Sequence, residues 1–188
     1  MRIVCPQGGM EKLRKYGIME KKPRRRNAGV GMAGDKLSHG QEGKYALLKT
    51  MLGGLIAGED DLIANMANMS ALLFDALEQI NWAGFYRLKE GMLVLGPFQG
   101  KPACIRIPIG RGVCGTAAQT LQPQLVADVH QFPGHIACDA LSQSEVVIPL
   151  MREGQLLGVL DIDSPVKKRF DQQDLSGLEK LCEMLCKA

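Results

Sequence analysis

The chain has 188 residues, 46% of them apolar and 23% charged, with a net charge of +3. That suffices for one domain with a real core, while no run of 18 apolar residues offers a membrane span, and the N-terminus lacks the apolar segment of a secretory signal. Six cysteines without a C-x-x-C pair match neither a disulfide scaffold nor a structural zinc site, so a reducing, cytoplasmic setting is expected, where a disulfide is transient and catalytic.

The charge is unevenly placed. Residues 1–40 carry ten Lys/Arg against three Asp/Glu, a local net of +7, and residues 41–188 carry thirteen against seventeen, a net of −4. The stretch EKKPRRRNAGVGMAG has no apolar periodicity and too little apolar surface to offset its ordering entropy. Residues 1–40 therefore read as a basic, disordered extension and 41–188 as the domain. The KKPRRR run reads as a solvated tail, and nucleic acid is not an expected partner. Met10, Met19 and Met32 would each serve as a later start.

The domain opens with KYALLKTMLGGLIAG (44–58), apolar at helical spacing and closed by glycine. EDDLIANMANMSALLFDALEQI (59–80) follows as a longer amphipathic helix with acidic residues in its first turn. Met66 and Met69 read as core filler. From Asn81 the period changes to two. NWAGFYRL (81–88) and MLVLGPF (92–98) are strands joined by the turn KEG, and ACIRIPI (103–109) is a third strand. GRGVCGTAAQTL (110–121) is a Gly-rich turn opening a short helix, and PQLVADV (123–129) is a short strand. After an irregular stretch, EVVIPLM (145–151), the turn REG and QLLGVLDID (155–163) form a second hairpin, and DQQDLSGLEKLCEMLCKA (171–188) is a closing helix. Hairpins in place of βαβ crossovers predict an α+β fold, an antiparallel sheet with helices packed on it. No phosphate-binding glycine motif is present.

Chemistry must then come from side chains. Cys5 in the extension is incidental, and Cys182 and Cys186, one turn apart on the last helix, read as small core hydrophobes. Cys104, Cys114 and Cys138 each fall near a turn, a helix start or a loop. Cys114 follows GRG, where unpaired N–H groups and the helix dipole would favour a thiolate. As a set, the three suit a metal, a structural cross-link or a thiol–disulfide cycle, although zinc-type spacings are absent. Asp161 and Asp163 share one face of their strand, as do Trp82 and Tyr86 of theirs. Gly84 between the aromatics would leave an open patch, with Phe85 turned to the core. With Glu145 and a thiol, these groups would form a small polar pocket with an apolar wall, suited to a small amphiphilic ligand carrying positive charge.

NWAGFY, GPFQGKPACIRIPIGRGVCGTAA, HIACDALSQSEVVIPL and GVLDIDS together resemble the free methionine-(R)-sulfoxide reductases, single-domain enzymes of the GAF fold, and the resemblance runs from about Tyr45 to Cys186. It implies Cys138 as the nucleophile that attacks the sulfoxide sulfur, Cys114 as the resolving thiol and Cys104 as a third cysteine able to form an alternative disulfide. It implies Trp82 and Tyr86 as pocket aromatics, and Glu145, Asp161 and Asp163 as pocket carboxylates. The implied reaction converts free L-methionine (R)-sulfoxide to methionine through a sulfenic acid and an intramolecular disulfide. It needs no metal or cofactor beyond an external thiol reductant of the thioredoxin type. A homodimer is compatible with this family, and no membrane partner is implied. The loop 127–143 would act as a lid over substrate, and His135, three residues before Cys138, is left without a role. The rival functions are a GAF sensor that binds a small ligand without turnover, and a redox switch or metal module built on the same cysteines.

Overall fold

Side chains that alternate along six strands need cover on two faces, and a different set of helices covers each. The computed structural model describes residues 41–134 and 140–188. The basic extension 1–40, His135 and Cys138 lie outside the described residues, as does part of the loop expected to act as a lid. Helices α1 (Gln41–Ile56) and α2 (Leu62–Ala76) precede the hairpin β1 (Trp82–Lys89) and β2 (Met92–Gly100). Then come β3 (Arg106–Pro108), α3 (Gly112–Thr120), β4 (Gln124–Val126), the hairpin β5 (Ser144–Arg152) and β6 (Gln155–Ser164), and α4 (Gln172–Lys187). The strands form one sheet in the order β3-β2-β1-β6-β5-β4. Every pairing is antiparallel, so the α+β fold is the one expected.

Three elements differ from expectation. Of PQLVADV only Gln124–Val126 form a strand, and Val129 opens a 3-10 turn, Val129–Gln131. Helix α2 starts after the acidic run rather than within it, because Asp61 is its N-cap, its carboxylate accepting from the N–H groups of Ile63 and Ala64. Glu59 and Asp60 are thereby left outside the helix. The third strand is shorter than ACIRIPI: only Arg106–Pro108 pair with β2, and one further bond, Leu95 N–H to Ile105 O at 2.9 Å, ends the ladder. The β1–β2 register shifts between Gly84 and Tyr86, and such a bulge bends the strand away from a straight edge.

On one face, Ala83, Phe85, Val146, Ile148, Leu160 and Ile162 pack with the buried sides of α1, α2 and α4. Met66, Met69, Cys182 and Cys186 belong to this layer, as core residues. Asp171 and Asp174 form a capping box at the start of α4. Asp174 also accepts from the Tyr45 hydroxyl at 2.8 Å, which ties α4 to α1. Gly177 lies directly beneath the Tyr45 ring, where a Cβ would have no room. On the other face, Trp82, Tyr86, Leu93, Val147 and Val159 pack against Val113 and Ala117 of α3. This second layer is where polar groups enter. Among the described residues, no helix is long and apolar enough to cross a membrane.

Candidate active site

Period-two alternation puts Trp82, Gly84 and Tyr86 of β1 on the face shared with Asp161 and Asp163 of β6 and with Glu145 of β5. Register sets their neighbours. Trp82 and Glu145 both lie opposite Asp163, from its two sides, and Gly84 and Val147 both lie opposite Asp161. Glu145 and Asp161 are therefore diagonal neighbours across one strand pair. Helix α3 lies over this corner and lowers Cys114 onto it. The turn before α3 depends on glycine at Gly110 and Gly112, with φ of 80° and 63°. Gly115 lies so close to the Pro108 carbonyl that no larger residue would fit.

The Cys114 Sγ is 3.9 Å from Glu145 Oε1. The sulfur and one oxygen from each of Glu145 and Asp161 all lie within 4.8 Å of one another. All three residues are buried, Cys114 to 4% exposure, Glu145 to 5% and Asp161 to 6%. Burial raises the Glu145 carboxyl well above the usual range, and the nearby charges of Asp161 and Asp163 push it further. Burial also raises Asp161, to about 6, against the opposing effect of its contacts with Cys114 and Glu145. Within the pair, Glu145 is the group that keeps a proton and Asp161 the one that gives it up first.

Cys114 corrects an expectation. Its place near the start of α3 suggested a stabilised thiolate, yet burial lifts its pKa well above the ordinary value, and the charges of Asp161 and Glu145 add to that. Desolvation next to two acids outweighs the first turn of a nine-residue helix. The resting group is a thiol that can donate toward Glu145.

The aromatic wall is built as the alternation required, with one correction. Trp82 and Tyr86 stack at 5.9 Å between ring centroids. Phe98 of β2 also stacks on Trp82, at 5.3 Å between ring centroids. Phe98 and the Trp82 ring occupy the space above Gly84, so the expected open patch is filled. Gly84 permits close packing of the wall rather than leaving a gap in it. The Trp82 indole N–H donates to the Lys101 carbonyl at 3.1 Å. The opening is lined by Trp82, Tyr86, Lys101, Ala103, Asp161 and Asp163.

The structure thus brings together Trp82, Tyr86, Glu145, Asp161, Asp163 and Cys114. Cys104 is half-buried on the β2–β3 connection and packs against the same apolar layer. Cys138 lies outside the described residues. Among the described residues on either side of it, Val129 N–H donates to Gln143 O at 2.9 Å and Gln143 N–H to Ser164 O at 2.7 Å. Ser142 is buried and lies 3.1 Å from the Asn81 amide nitrogen that donates to it. Sequence reasoning missed Phe98 and Lys101. An unbroken hairpin register, continued from Lys89 opposite Met92, would set Gly84 against Pro97; the bulge sets it against Phe98.

Comparison with known proteins gives a consistent picture. The GAF domain family matches residues 64–185. The chain is 57% identical over 141 residues to the free methionine-R-sulfoxide reductase of Escherichia coli, covering 75% of this chain and 86% of that protein. It is 46% identical over 143 residues to the Saccharomyces cerevisiae protein of the same name, covering 72% and 79%. The solved structure of Staphylococcus aureus fRMsr in complex with substrate aligns with a TM-score of 0.74 at 55% identity, covering 76% of this chain and 94% of that one.

Proposed function

This chain belongs to the GAF domain family and, within it, to the free methionine-R-sulfoxide reductases; on that premise we propose that it reduces free L-methionine (R)-sulfoxide to methionine, with Cys138 as nucleophile. The observation that carries the reading is the buried Glu145–Asp161 pair set between an aromatic wall and the Cys114 thiol. A sulfoxide oxygen leaves only once protonated, and a carboxyl held neutral by burial and by neighbouring acids is suited to supply that proton. Glu145 is that acid.

Cys138 attacks the sulfur as a thiolate. A bond forms between Cys138 Sγ and the substrate sulfur as the protonated sulfoxide oxygen leaves as water. A water then attacks Cys138 Sγ, the new S–S bond breaks, and methionine departs with its electron pair, leaving Cys138 as a sulfenic acid. The Cys114 thiol then attacks the sulfenic sulfur, an S–S bond forms, and the oxygen leaves as water. The Cys114 proton passes through the adjoining carboxylates to the departing oxygen and completes that water. Cys104 provides the alternative partner. An external dithiol of the thioredoxin type reduces the disulfide by exchange, which places the cycle in a reducing compartment such as the cytoplasm. No metal or cofactor takes part in these steps. The catalytic unit spans residues 41–188, and residues 1–40 stand outside it.

Asp163, with Asp161 in its ionised form, receives the ammonium of the substrate. Lys101, at the rim, offers a cation to the α-carboxylate. Trp82 and Tyr86 hold the apolar end. A residue inside a peptide carries neither terminal charge and could make neither contact, which accounts for a preference for the free amino acid.

The test is methionine release from the R and S epimers of methionine sulfoxide, free and peptide-bound, with dithiothreitol as reductant. Release from the free R epimer alone, abolished in Cys138→Ser, supports the reading. Activity retained by Cys138→Ser overturns the assignment of the nucleophile, and tight binding without methionine release would identify a sensor.

A further inference from the structure

The Cys114–Glu145–Asp161 corner, assigned above to proton transfer and resolution, also has the geometry of an ion site. A four-coordinate zinc-type ion holds sulfur at about 2.3 Å and carboxylate oxygen at about 2.0–2.2 Å, which sets ligand sulfur and oxygen about 3.6 Å apart. The Cys114 Sγ is already 3.9 Å from Glu145 Oε1, and the Asp161 oxygen completes a triangle in which no side exceeds 4.8 Å. Small rotations of side chains that are already buried together would close it onto one ion.

A second observation points the same way. Asp161 Oδ1 is buried with no hydrogen-bond partner. An orphaned buried carboxylate oxygen is costly unless something satisfies it, and a cation would. Asp161 also lines the opening, together with Trp82, Tyr86 and Lys101, so one of the three ligands faces an entry path. One thiolate with two carboxylates favours a borderline-soft divalent ion. Magnesium and calcium seek all-oxygen sets instead.

We propose that reduced Cys114, with Glu145 and Asp161, forms a binding site for a divalent cation of the zinc or cadmium type, which holds the enzyme in a reversibly inhibited, substrate-free state. The inference deepens the functional reading of the same site, on which it rests, because the ion contests Asp161, one of the two carboxylates assigned to the substrate's ammonium, occupies the proton donor Glu145 and withholds the resolving thiol. A disulfide sulfur is a far poorer ligand than a thiolate, so the site exists only in the reduced enzyme, and oxidation of Cys114 releases the ion.

The experiment titrates the reduced full chain with cadmium, without sulfoxide, and follows the thiolate-to-cadmium charge-transfer absorption in the ultraviolet. One cadmium per chain is expected at saturation. Removing a metal ligand should exceed the roughly 10–100-fold loss typical of removing an outer partner. Asp161→Asn should therefore weaken binding by at least about tenfold, and Cys114→Ser should remove the one-equivalent band. Cys182→Ala, in the opposite core layer, should leave it unchanged. Added methionine should raise the apparent Kd in proportion to its concentration, and the disulfide form should give no band.

A band of unchanged affinity in Cys114→Ser or in Asp161→Asn overturns the proposal, as does the lack of a one-equivalent band in the reduced wild type. Melting curves of both isosteric variants show whether each is folded. Cys138-dependent methionine release without cadmium binding would sink the metal site and leave the reductase standing. Cadmium binding without methionine release would do the reverse.

Discussion

The Cys114 sulfur and the Glu145 carboxyl face each other 3.9 Å apart where helix α3 meets β5, both buried. Neither readily becomes charged there. Burial holds the thiol protonated and the carboxyl neutral, and the adjoining Asp161, raised only to about 6, is the first group of the three to ionise. One buried corner therefore offers a proton donor and a proton acceptor side by side at neutral pH, which is the pairing that a protonation step and a later thiol deprotonation both need.

If Cys114 resolves the sulfenic acid, its loss should spare the first chemical step. Cys114→Ser is expected to release about one methionine per chain in a single turnover and then to stall when a thioredoxin-type reductant drives cycling. Quenched single-turnover yields and steady-state rates measure the two parts separately. Normal cycling in this variant would move the resolving role to Cys104.

The acids make a signed prediction about pH. As pH falls through about 6, Asp161 gains a proton, and the ammonium of the substrate loses part of its counter-charge. KM for free methionine sulfoxide should rise on that limb. At high pH the proton on Glu145 is lost and kcat should fall, giving a bell-shaped profile of kcat/KM. Asp161→Asn removes the counter-charge at every pH. Truncating one partner of a desolvated charge pair costs about 2 kcal/mol or more, so KM should rise by roughly 30-fold or more and its acid limb should flatten. An unshifted acid limb in the variant would show that a different group binds the ammonium.

The same burial carries a stability penalty. Asp161 has a folded pKa of about 6 against a reference of 3.8. The native state therefore binds more protons than the unfolded chain between those values, and stability falls as pH rises through that window. A shift of about two units corresponds to about 3 kcal/mol at most. Asp161→Asn should be more stable than wild type near neutral pH, by about 1–3 kcal/mol in urea denaturation, and the gain should shrink toward zero below about pH 4. A gain independent of pH would point to packing instead of charge.

Much of this site is legible in the order of residues. Period two alone puts Trp82 with Tyr86 and Asp161 with Asp163, each pair on one face, and the hairpin readings pair β1 with β2 and β5 with β6, but not β1 with β6. What escapes is whatever depends on distant elements. The protonation state of Cys114 follows from two acids 31 and 47 positions away, and its local setting at a helix start suggests the opposite. Phe98 stands over Gly84 only because a bulge moves the register by one residue, and a turn read as KEG carries no sign of it. The third strand stops short for a related reason, since pairing and not β-propensity decides where an edge strand ends.

Two glycines offer a paired test of that packing. At Gly84 a Cβ would run into the Phe98 backbone and the Trp82 ring, and at Gly177 into the Tyr45 ring. Each alanine variant overpacks a filled layer, which typically costs about 1–3 kcal/mol, and a domain of this size loses about 2–4 °C of melting temperature per kcal/mol. Both should therefore melt lower. Only Gly84→Ala should also disturb the active site, because relief there requires Phe98 and Trp82 to move away from Tyr86 and from the opening they line. KM should rise severalfold in Gly84→Ala and stay at the wild-type value in Gly177→Ala, whose clash lies between α1 and α4 behind the sheet. Equal KM values in the two variants would mean that the stack above Gly84 yields without cost, and that the aromatic wall is not what positions the substrate.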